Sequence, residues 1–258
     1  MKIIYLLFIS LSLFASVITL QYTGEVSLFG KVGEATMQYT NDGKKYYIKV
    51  SGHGTGIIGD LTQHKQYIYE SIGLVKDNIL IPMKYISSER SQDLNKTKTY
   101  TFDYQNKKTI VTQHKTENEK KSQYNIFTFE YETTTRFVEE SNTKELERVY
   151  HDDMVSVFFN KRNHLLSMKQ GETKLIQAVG SDDTQDGVVV KFISKKKERY
   201  LFSVRVQKDY LTSGAEDITF LLDSNNILCE TKMDGILLFG NATVKRDSNQ
   251  SFMASGKN

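Results

Sequence analysis

The chain has 258 residues, a formal net charge of +3 and a single cysteine. One cysteine cannot form an internal disulfide, so an exported chain of this composition must be stabilised by its hydrophobic core. A small, dispersed positive charge gives no support for nucleic-acid binding.

The N-terminal segment has the features of an export signal. It reads MKIIYLLFISLSLFASVITL, in which Lys2 precedes an apolar run, and Ala15 and Ser16 offer a cleavage point. This pattern indicates a secretory signal peptide over residues 1–16. A membrane anchor is the alternative, but the run is shorter than the roughly 20 apolar residues that span a bilayer. We therefore expect cleavage, periplasmic localisation and no stable transmembrane anchor afterwards.

The next segments have the pattern of antiparallel strands. Apolar residues recur with period two, and the strand-forming types Tyr, Phe, Thr, Val and Ile dominate. The Asn-Asp-Gly sequence at 41–43 predicts a hairpin turn, because these residue types tolerate positive φ. In the returning strand Tyr46, Ile48 and Val50 share one face, which we expect to be packed.

Residues 50–60, VSGHGTGIIGD, contain a G-x-G-x-x-G sequence, and their HGTG is similar to the histidine segment of subtilisin-like proteases. A dinucleotide site needs a helix directly after the glycines, whereas the sequence that follows becomes another alternating strand. A protease triad needs a positioned serine and aspartate as well as His53. We interpret the segment as a strand-ending turn.

Further strands are predicted after this turn, in the segments HKQYIYESIG, PMKYISSER, KTYTFDYQ and TIVTQHK. Residues 115–125 are charged and weakly apolar, which predicts a long loop.

One later segment changes to helical spacing. Its apolar residues at that spacing are Met154, Val155, Phe158 and Leu165. Asp152 can cap the N-terminus, and Lys161 and Arg162 complement the dipole at the other end, so a helix is predicted over about 152–166. Strands then resume, and residues 247–258 are expected to form a disordered tail.

The order of these elements favours one mainly β domain over residues 17–246. Many short strands without strand-helix alternation predict a curved antiparallel sheet or an open, partly closed β-barrel. The single α-helix at about 152–166 is expected to cover it.

The sequence predicts no catalytic, cofactor-binding or metal-binding residues. The one local cluster is His151 with Asp152 and Asp153, which helix capping explains and for which a catalytic or metal role is the alternative. The basic run KKKER at 195–199 is interpreted as a hairpin tip, with attraction to anionic head groups as the alternative. Cys229 is interpreted as a small buried residue.

Three N-x-S/T sequons occur, at Asn95, Asn241 and Asn249. Asn95 and Asn249 each have an aspartate two residues upstream, similar to the extended acceptor sequence of some bacterial oligosaccharyltransferases. We expect Asn95 to lie in a turn and Asn249 in the tail, and both to be glycosylated in a host that has such an enzyme.

Four features occur in a characteristic order along the chain. They are a G-x-A-T-like turn in QYTGEVSLFGKVGEATMQY, a T-G-hydrophobic turn in YYIKVSGHGTGIIGDL, an L-x-P before a tyrosine strand in ILIPMKY, and the aspartate-led segment DDMVSVFF. Over residues 21–240 the chain resembles the bacterial exported family called domain of unknown function 3108. The resemblance implies a strand-ending turn at GTGII and supplies no catalytic residues.

Three functions of different kinds are compatible with these predictions. The first is a non-enzymatic periplasmic protein whose curved sheet binds a lipid or another hydrophobic ligand. The candidate groove residues are Ile57, Ile58, Met154, Phe158 and Phe159. The alternative is a structural or protein-interaction module of the cell envelope, with an envelope protein as partner, and a hydrolase or metal enzyme at the His151 cluster is a third hypothesis.

Overall fold

A computed structural model describes residues 16–180, 187–205, 218–236 and 240–247 of the chain. Within these ranges no helix has the length and apolar character needed to cross a membrane. Residues 1–15 of the expected signal peptide, and the expected tail from residue 248 onward, lie outside them.

The described residues form sixteen strands and two short α-helices. In chain order these are β1 (Ser16–Val26), β2 (Gly30–Asn41), β3 (Lys45–Gly54), α1 (Gly56–Leu61), β4 (Gln66–Lys76), β5 (Ile79–Arg90), β6 (Leu94–Asp103), β7 (Lys108–Asn125), β8 (Glu130–Leu146), β9 (Asp152–Asp153), α2 (Ser156–Phe159), β10 (Thr173–Ile176), β11 (Ala178–Val179), β12 (Val188–Lys196), β13 (Arg199–Arg205), β14 (Ile218–Asp223), β15 (Leu228–Ile236) and β16 (Gly240–Arg246).

Fourteen of the strands form one antiparallel sheet, which confirms the predicted mainly β class. The strand order is β10-β12-β13-β14-β15-β16-β1-β2-β3-β4-β5-β6-β7-β8. β16 pairs with β1, so the C-terminal part of the sheet joins its N-terminal part edge to edge. In the part of the chain that is described, β8 and β10 are not paired with each other, so the sheet is open rather than closed into a barrel.

The sheet curves around residues 150–168, which we call the plug. Phe158 of the plug packs against Phe220 of β14, with the ring centroids 5.1 Å apart. Only two residues later, Asn160 Nδ2 donates to the carbonyl oxygen of Leu80 in β5 at 2.9 Å. These two strands are seven positions apart in the sheet, or about 34 Å if the sheet were flat. Because Phe158 and Asn160 are only two residues apart and contact these two strands, the sheet must curve around the plug.

The predicted helix over 152–166 is wrong. Asp152 and Asp153 form β9, which pairs in parallel with β11, and only Ser156–Phe159 is α-helical. The helix ends because Asn160 takes an extended conformation, and the rest of the plug consists of two 3₁₀ turns, Lys161–Asn163 and Leu165–Ser167. Tertiary hydrogen bonds made by the side chain of Asn160 compete successfully with the weak helical pattern.

The predicted loop at 115–125 is also wrong, because these residues continue β7. β7 and β8 pair without a register shift from Thr109 opposite Leu146 to Asn125 opposite Glu130. Strand pairing satisfies the backbone of this hairpin although most of its side chains are exposed and polar. Asn95 is the second residue of β6 rather than part of a turn, and it is exposed.

The glycine-rich segment is a strand-ending turn, as predicted, that leads into the short helix α1. Gly56 has φ +56°, a conformation that favours glycine. A Cβ on Gly59 would lie 2.9 Å from the carbonyl oxygen of Gly54. A side chain at position 59 would therefore obstruct the close approach of these two backbone segments. The next element along the chain, β4, pairs antiparallel with β3, so no β-α-β unit is present at this point.

Candidate functional site

An apolar cavity lies between the plug and the middle of the sheet. Its volume is about 210 Å³. The residues that line it are Tyr22, Ala35, Met37, Val50, Val155, Phe158, Phe159, Phe220, Leu222, Asn226, Leu228 and Val244. The hydroxyl of Tyr22 donates to the carbonyl oxygen of Leu228 at 3.0 Å, which leaves its ring as an apolar wall. The walls are therefore aliphatic or aromatic almost throughout.

Helix α2 brings two aromatic rings of the plug to this cavity. Phe158 meets Phe220 of β14 edge to face, at an interplanar angle of 84°. Phe159 packs against Tyr39 of β2, with the ring centroids 5.3 Å apart. These contacts point the two neighbouring rings toward opposite halves of the sheet, and the cavity lies between them.

The carboxylate of Asp153 fixes the start of α2. Its Oδ1 accepts from the backbone N–H groups of Val155 at 2.9 Å and Ser156 at 2.7 Å. Its Oδ2 accepts from the Ser71 hydroxyl at 2.6 Å, and that hydroxyl lies 2.9 Å from the hydroxyl of Tyr46. Asp153 is fully buried, and burial raises its pKa. This carboxylate therefore connects the plug to strands β3 and β4.

Asp152 fixes the other end of the plug through two asparagines. Its carboxylate accepts from Asn160 Nδ2 at 2.7 Å and from Asn163 Nδ2 at 3.2 Å. Asn160 also binds both backbone groups of Leu80, and Asn163 binds the carbonyl oxygen of Val157. Burial raises the pKa of Asp152 to about 6, against the hydrogen bonds from the two amides, which lower it.

A larger and more polar groove adjoins the apolar cavity. Its volume is about 690 Å³. Its walls include the polar side chains of Asn41, Asn78, Lys161, His164, Ser167, Ser224 and Asn225 together with the apolar side chains of Ile18, Tyr39, Leu80, Leu165, Leu166 and Ile227. We call it the outer groove. Phe159 and Asn226 belong to the walls of both spaces.

Asn226 is the polar residue at this shared boundary. It lies in the turn between β14 and β15 with φ +62°, and its backbone N–H donates to Asp223 at 3.0 Å. Its side-chain carbonyl oxygen is buried and accepts no hydrogen bond from any described residue. A buried acceptor without a donor is costly, so this oxygen is suited to a hydrogen bond from a bound molecule.

The structure brings together only some of the residues predicted for the groove. Phe158 and Phe159 line the apolar cavity. Met154, also in the plug, packs against the two main core clusters and is not part of the cavity wall. Ile57 and Ile58 lie on α1, away from the cavity, and Ile57 is 60% exposed.

The cavity walls contributed by the strands were not predicted from the sequence. Alternation identifies Val50 as a packed residue, and the same pattern was available for Ala35 and Met37 of β2. Alternation marks the face of a strand but not the gaps in its packing. Phe220 and Val244 lie 185 and 209 residues after Ala35 along the chain, and no local signal joins them to β2.

The cluster of His151, Asp152 and Asp153 does not converge on a cleft. Both aspartates are buried, and their carboxylates hold the plug in place. His151 is exposed and its ring stacks on Tyr104, with the ring centroids 6.0 Å apart. Burial and Arg162 lower the pKa of His151. The described residues contain no group of three or more His, Cys, Asp or Glu side chains that could hold a metal ion.

The structure also shows where the basic run, the cysteine and one of the two predicted glycosylation sites lie. The basic run 195–199 spans the turn between β12 and β13, as expected for a hairpin tip. Cys229 is buried in β15, and burial raises its pKa. Asn95 is exposed, whereas Asn249 lies outside the described residues.

Comparisons with known proteins identify the family. The model of a family described as Protein of unknown function (DUF3108) matches residues 18–245 of the chain. No curated protein and no solved structure gives a match. The family match covers almost all of the sheet, from β1 to β16, together with the plug. The chain therefore belongs to the DUF3108 family of proteins of unknown function.

Proposed function

We propose that this protein is a non-enzymatic binder of a lipid or another hydrophobic ligand, and that it acts in the periplasm after export by its signal peptide. The observation that carries the proposal is the apolar cavity of about 210 Å³ beside the plug. Ligand sites are typically concave and mostly apolar, with a few convergent polar groups. The N-terminal segment supports export.

The two adjoining spaces favour an amphipathic ligand. A cavity of about 150 Å³ is large enough to hold benzene, so this one has room for a ring system or a short acyl chain. A longer chain would continue past Phe159 into the outer groove, where Lys161 and His164 are available to a polar or anionic group. Asn226 would accept a hydrogen bond at the boundary.

A second candidate function is a protein-interaction module of the cell envelope. The observation that favours it is the set of exposed aromatic residues on the β7-β8 hairpin, among them Phe127, which is 86% exposed. Those residues are far along the sheet from the cavity, so the two candidates can be tested separately.

Native mass spectrometry of protein purified from the periplasm tests ligand binding directly. We expect an added mass that organic extraction removes and that belongs to a lipid or a similar hydrophobic molecule. A clean unliganded mass that stays unchanged after incubation with envelope lipids would refute the proposal.

A cavity-filling substitution tests where the ligand binds. We expect Ala35→Leu to weaken binding of the fluorescent probe N-phenyl-1-naphthylamine at least about tenfold, because the larger side chain occupies the cavity. Thr36→Leu is the matched control, since the neighbouring residue points to the opposite face of β2. Unchanged probe affinity in a folded Ala35→Leu protein would show that the cavity is not the binding site.

A further inference from the structure

The β7-β8 hairpin extends beyond the rest of the sheet as an arm. β7 pairs with β6 only as far as Glu117, opposite Leu94. Beyond it, residues 119–136 pair only with one another, and we call them the arm. Seven residues of β7 on this side correspond to about 23 Å of extended strand. The end of the arm is therefore held well away from the core.

The end of the arm carries exposed apolar side chains, which Glu130, opposite Asn125, and Glu132, opposite Gln123, flank on β8. Residues 122–129, SQYNIFTF, carry no charged side chain, and we call them the tip. Within the tip Ile126, Phe127 and Phe129 are 66%, 86% and 76% exposed. Such a cluster of exposed apolar side chains on a projecting element marks an interaction site.

The turn of the tip is held by hydrogen bonds to Asn125. The side-chain oxygen of Asn125 accepts from the N–H of Phe127 at 2.9 Å, and its backbone carbonyl accepts from the N–H of Phe129 at 2.8 Å. An element that enters a lipid environment must pair its own backbone groups, because hydrocarbon offers no partners. The N–H groups of Phe127 and Phe129 meet this requirement.

A second apolar feature lies at the same end of the sheet. Adjacent strands alternate in direction, so β1, β3 and β7 all end on the same side. Leu28 follows β1 and is 68% exposed, and Leu61 of α1 follows β3 and is also 68% exposed. These two exposed leucines add apolar surface at the end of the sheet from which the arm projects.

We propose that the tip inserts into the interfacial region of a lipid bilayer and docks the protein there. Tyr124, near the start of the tip, pairs with Tyr131 of β8, and their ring centroids are 5.2 Å apart. The pair would lie at the depth where tyrosine is favoured, between acyl chains and head groups. Lys120 and Lys121 come next along β7 and can remain at the aqueous surface.

A second copy of this chain fits the arm less well than a bilayer. β8 is an edge strand that carries five glutamates within Glu130–Leu146, at positions 130, 132, 139, 140 and 145. Edge-to-edge pairing of two copies would bring many of these carboxylates together, which opposes association.

The absence of tryptophan from the sequence provides a direct test, because a single introduced tryptophan has no background. We expect Phe127→Trp emission to shift to the blue when phosphatidylcholine vesicles are added, and to be quenched when the acyl chains are brominated. The matched control is Leu175→Trp, on the distant edge strand β10, where the native side chain is 55% exposed. Its emission is expected to stay unchanged.

A loss-of-function variant completes the test. Replacing Ile126, Phe127 and Phe129 by serine is expected to reduce co-sedimentation with the same vesicles at least about tenfold. Circular dichroism should show an unchanged melting temperature, since these side chains are exposed. No emission shift in Phe127→Trp would overturn the proposal, as would a shift without lipid that grows with protein concentration. The inference does not depend on the cavity, so its failure would leave ligand binding unaffected.

Discussion

Gly73 lies where the pairing of β4 with β5 changes register. The irregularity falls between Ile72 and Gly73. A Cβ at this position would collide with the carbonyl oxygen of Ile81 and lie 2.6 Å from Cε1 of Tyr46. Tyr46 is itself buried and hydrogen-bonded to the Ser71 hydroxyl that reaches Asp153. Glycine is therefore required here for close approach of two strands and a core ring.

We expect Gly73→Ala to lower the free energy of unfolding by roughly 2–3 kcal/mol, because the added methyl group overpacks the core. Urea denaturation measures the effect. Gly24→Ala is the matched control in another strand, since its Cβ would come no nearer than 3.5 Å to another atom. Equal stability of the two variants would contradict this account.

The buried carboxyl of Asp152 makes stability depend on pH. Its pKa is about 6 in the folded protein, against an ordinary value of 3.8. Because the folded pKa is the higher one, its stabilising contribution is complete below about pH 4 and is lost as the pH rises through about 6. The difference corresponds to about 3 kcal/mol. Asp153, whose pKa is also raised, acts in the same direction.

We expect Asp152→Asn to flatten the decrease in unfolding free energy between about pH 4 and pH 7, since the amide does not titrate. A pH-independent loss of stability in the variant would shift the whole curve of unfolding free energy against pH. The slope of that curve would still report the titration of Asp152. Asp77→Asn, at an exposed turn position, is the control and should retain the wild-type slope. A wild-type slope in Asp152→Asn would assign the pH dependence to other groups.

At the scale of elements, the arm was predicted to be less regular than it is, and the plug was predicted to be more regular than it is. The arm is a long hairpin with almost no burial, so its sequence has the polar composition of a loop. The plug has helical spacing, but Asn160 and Asn163 bind strand β5 and Asp152 instead of continuing a helix. In both cases the deciding hydrogen bonds join segments that local periodicity does not connect.

The arm is expected to be dispensable for folding. Replacing residues 119–136 by Asn-Gly should leave a hairpin closed by a two-residue turn. We expect the melting temperature to change by no more than about 3 °C, because the arm buries little and its ion pair from Lys120 to Asp93 lies at the surface. Probe binding in the cavity should persist, and vesicle binding should be lost. Loss of cooperative unfolding would show that the arm contributes to the core.

At the scale of the whole molecule, one open sheet is organised around one irregular segment. Three core clusters lie along the sheet, and residues of the plug contribute to each of them. Phe159 belongs to the central cluster, where it separates the apolar cavity from the outer groove. The plug therefore does two things: it fills the curved face of the sheet and it creates the cavity.

The sequence by itself determined the antiparallel β class, the turn at 41–43, the packed face of β3 and the family. These features follow from alternation, turn chemistry and segment order, which are local or linear properties of the chain. It also identified Phe158 and Phe159 as candidate cavity residues. Their apolar character was visible, although the helix assigned to them was too long.

Only the tertiary structure decided that the sheet stays open, that residues 150–168 fill it, and that the hairpin projects as an arm. It also placed Ile57, Ile58 and Met154 outside the cavity wall and joined Ala35 to Phe220 and Val244 within it. The physical reason is that curvature and packing gaps depend on contacts between strands far apart in the chain. Such contacts produce no periodic pattern in the sequence of either strand alone.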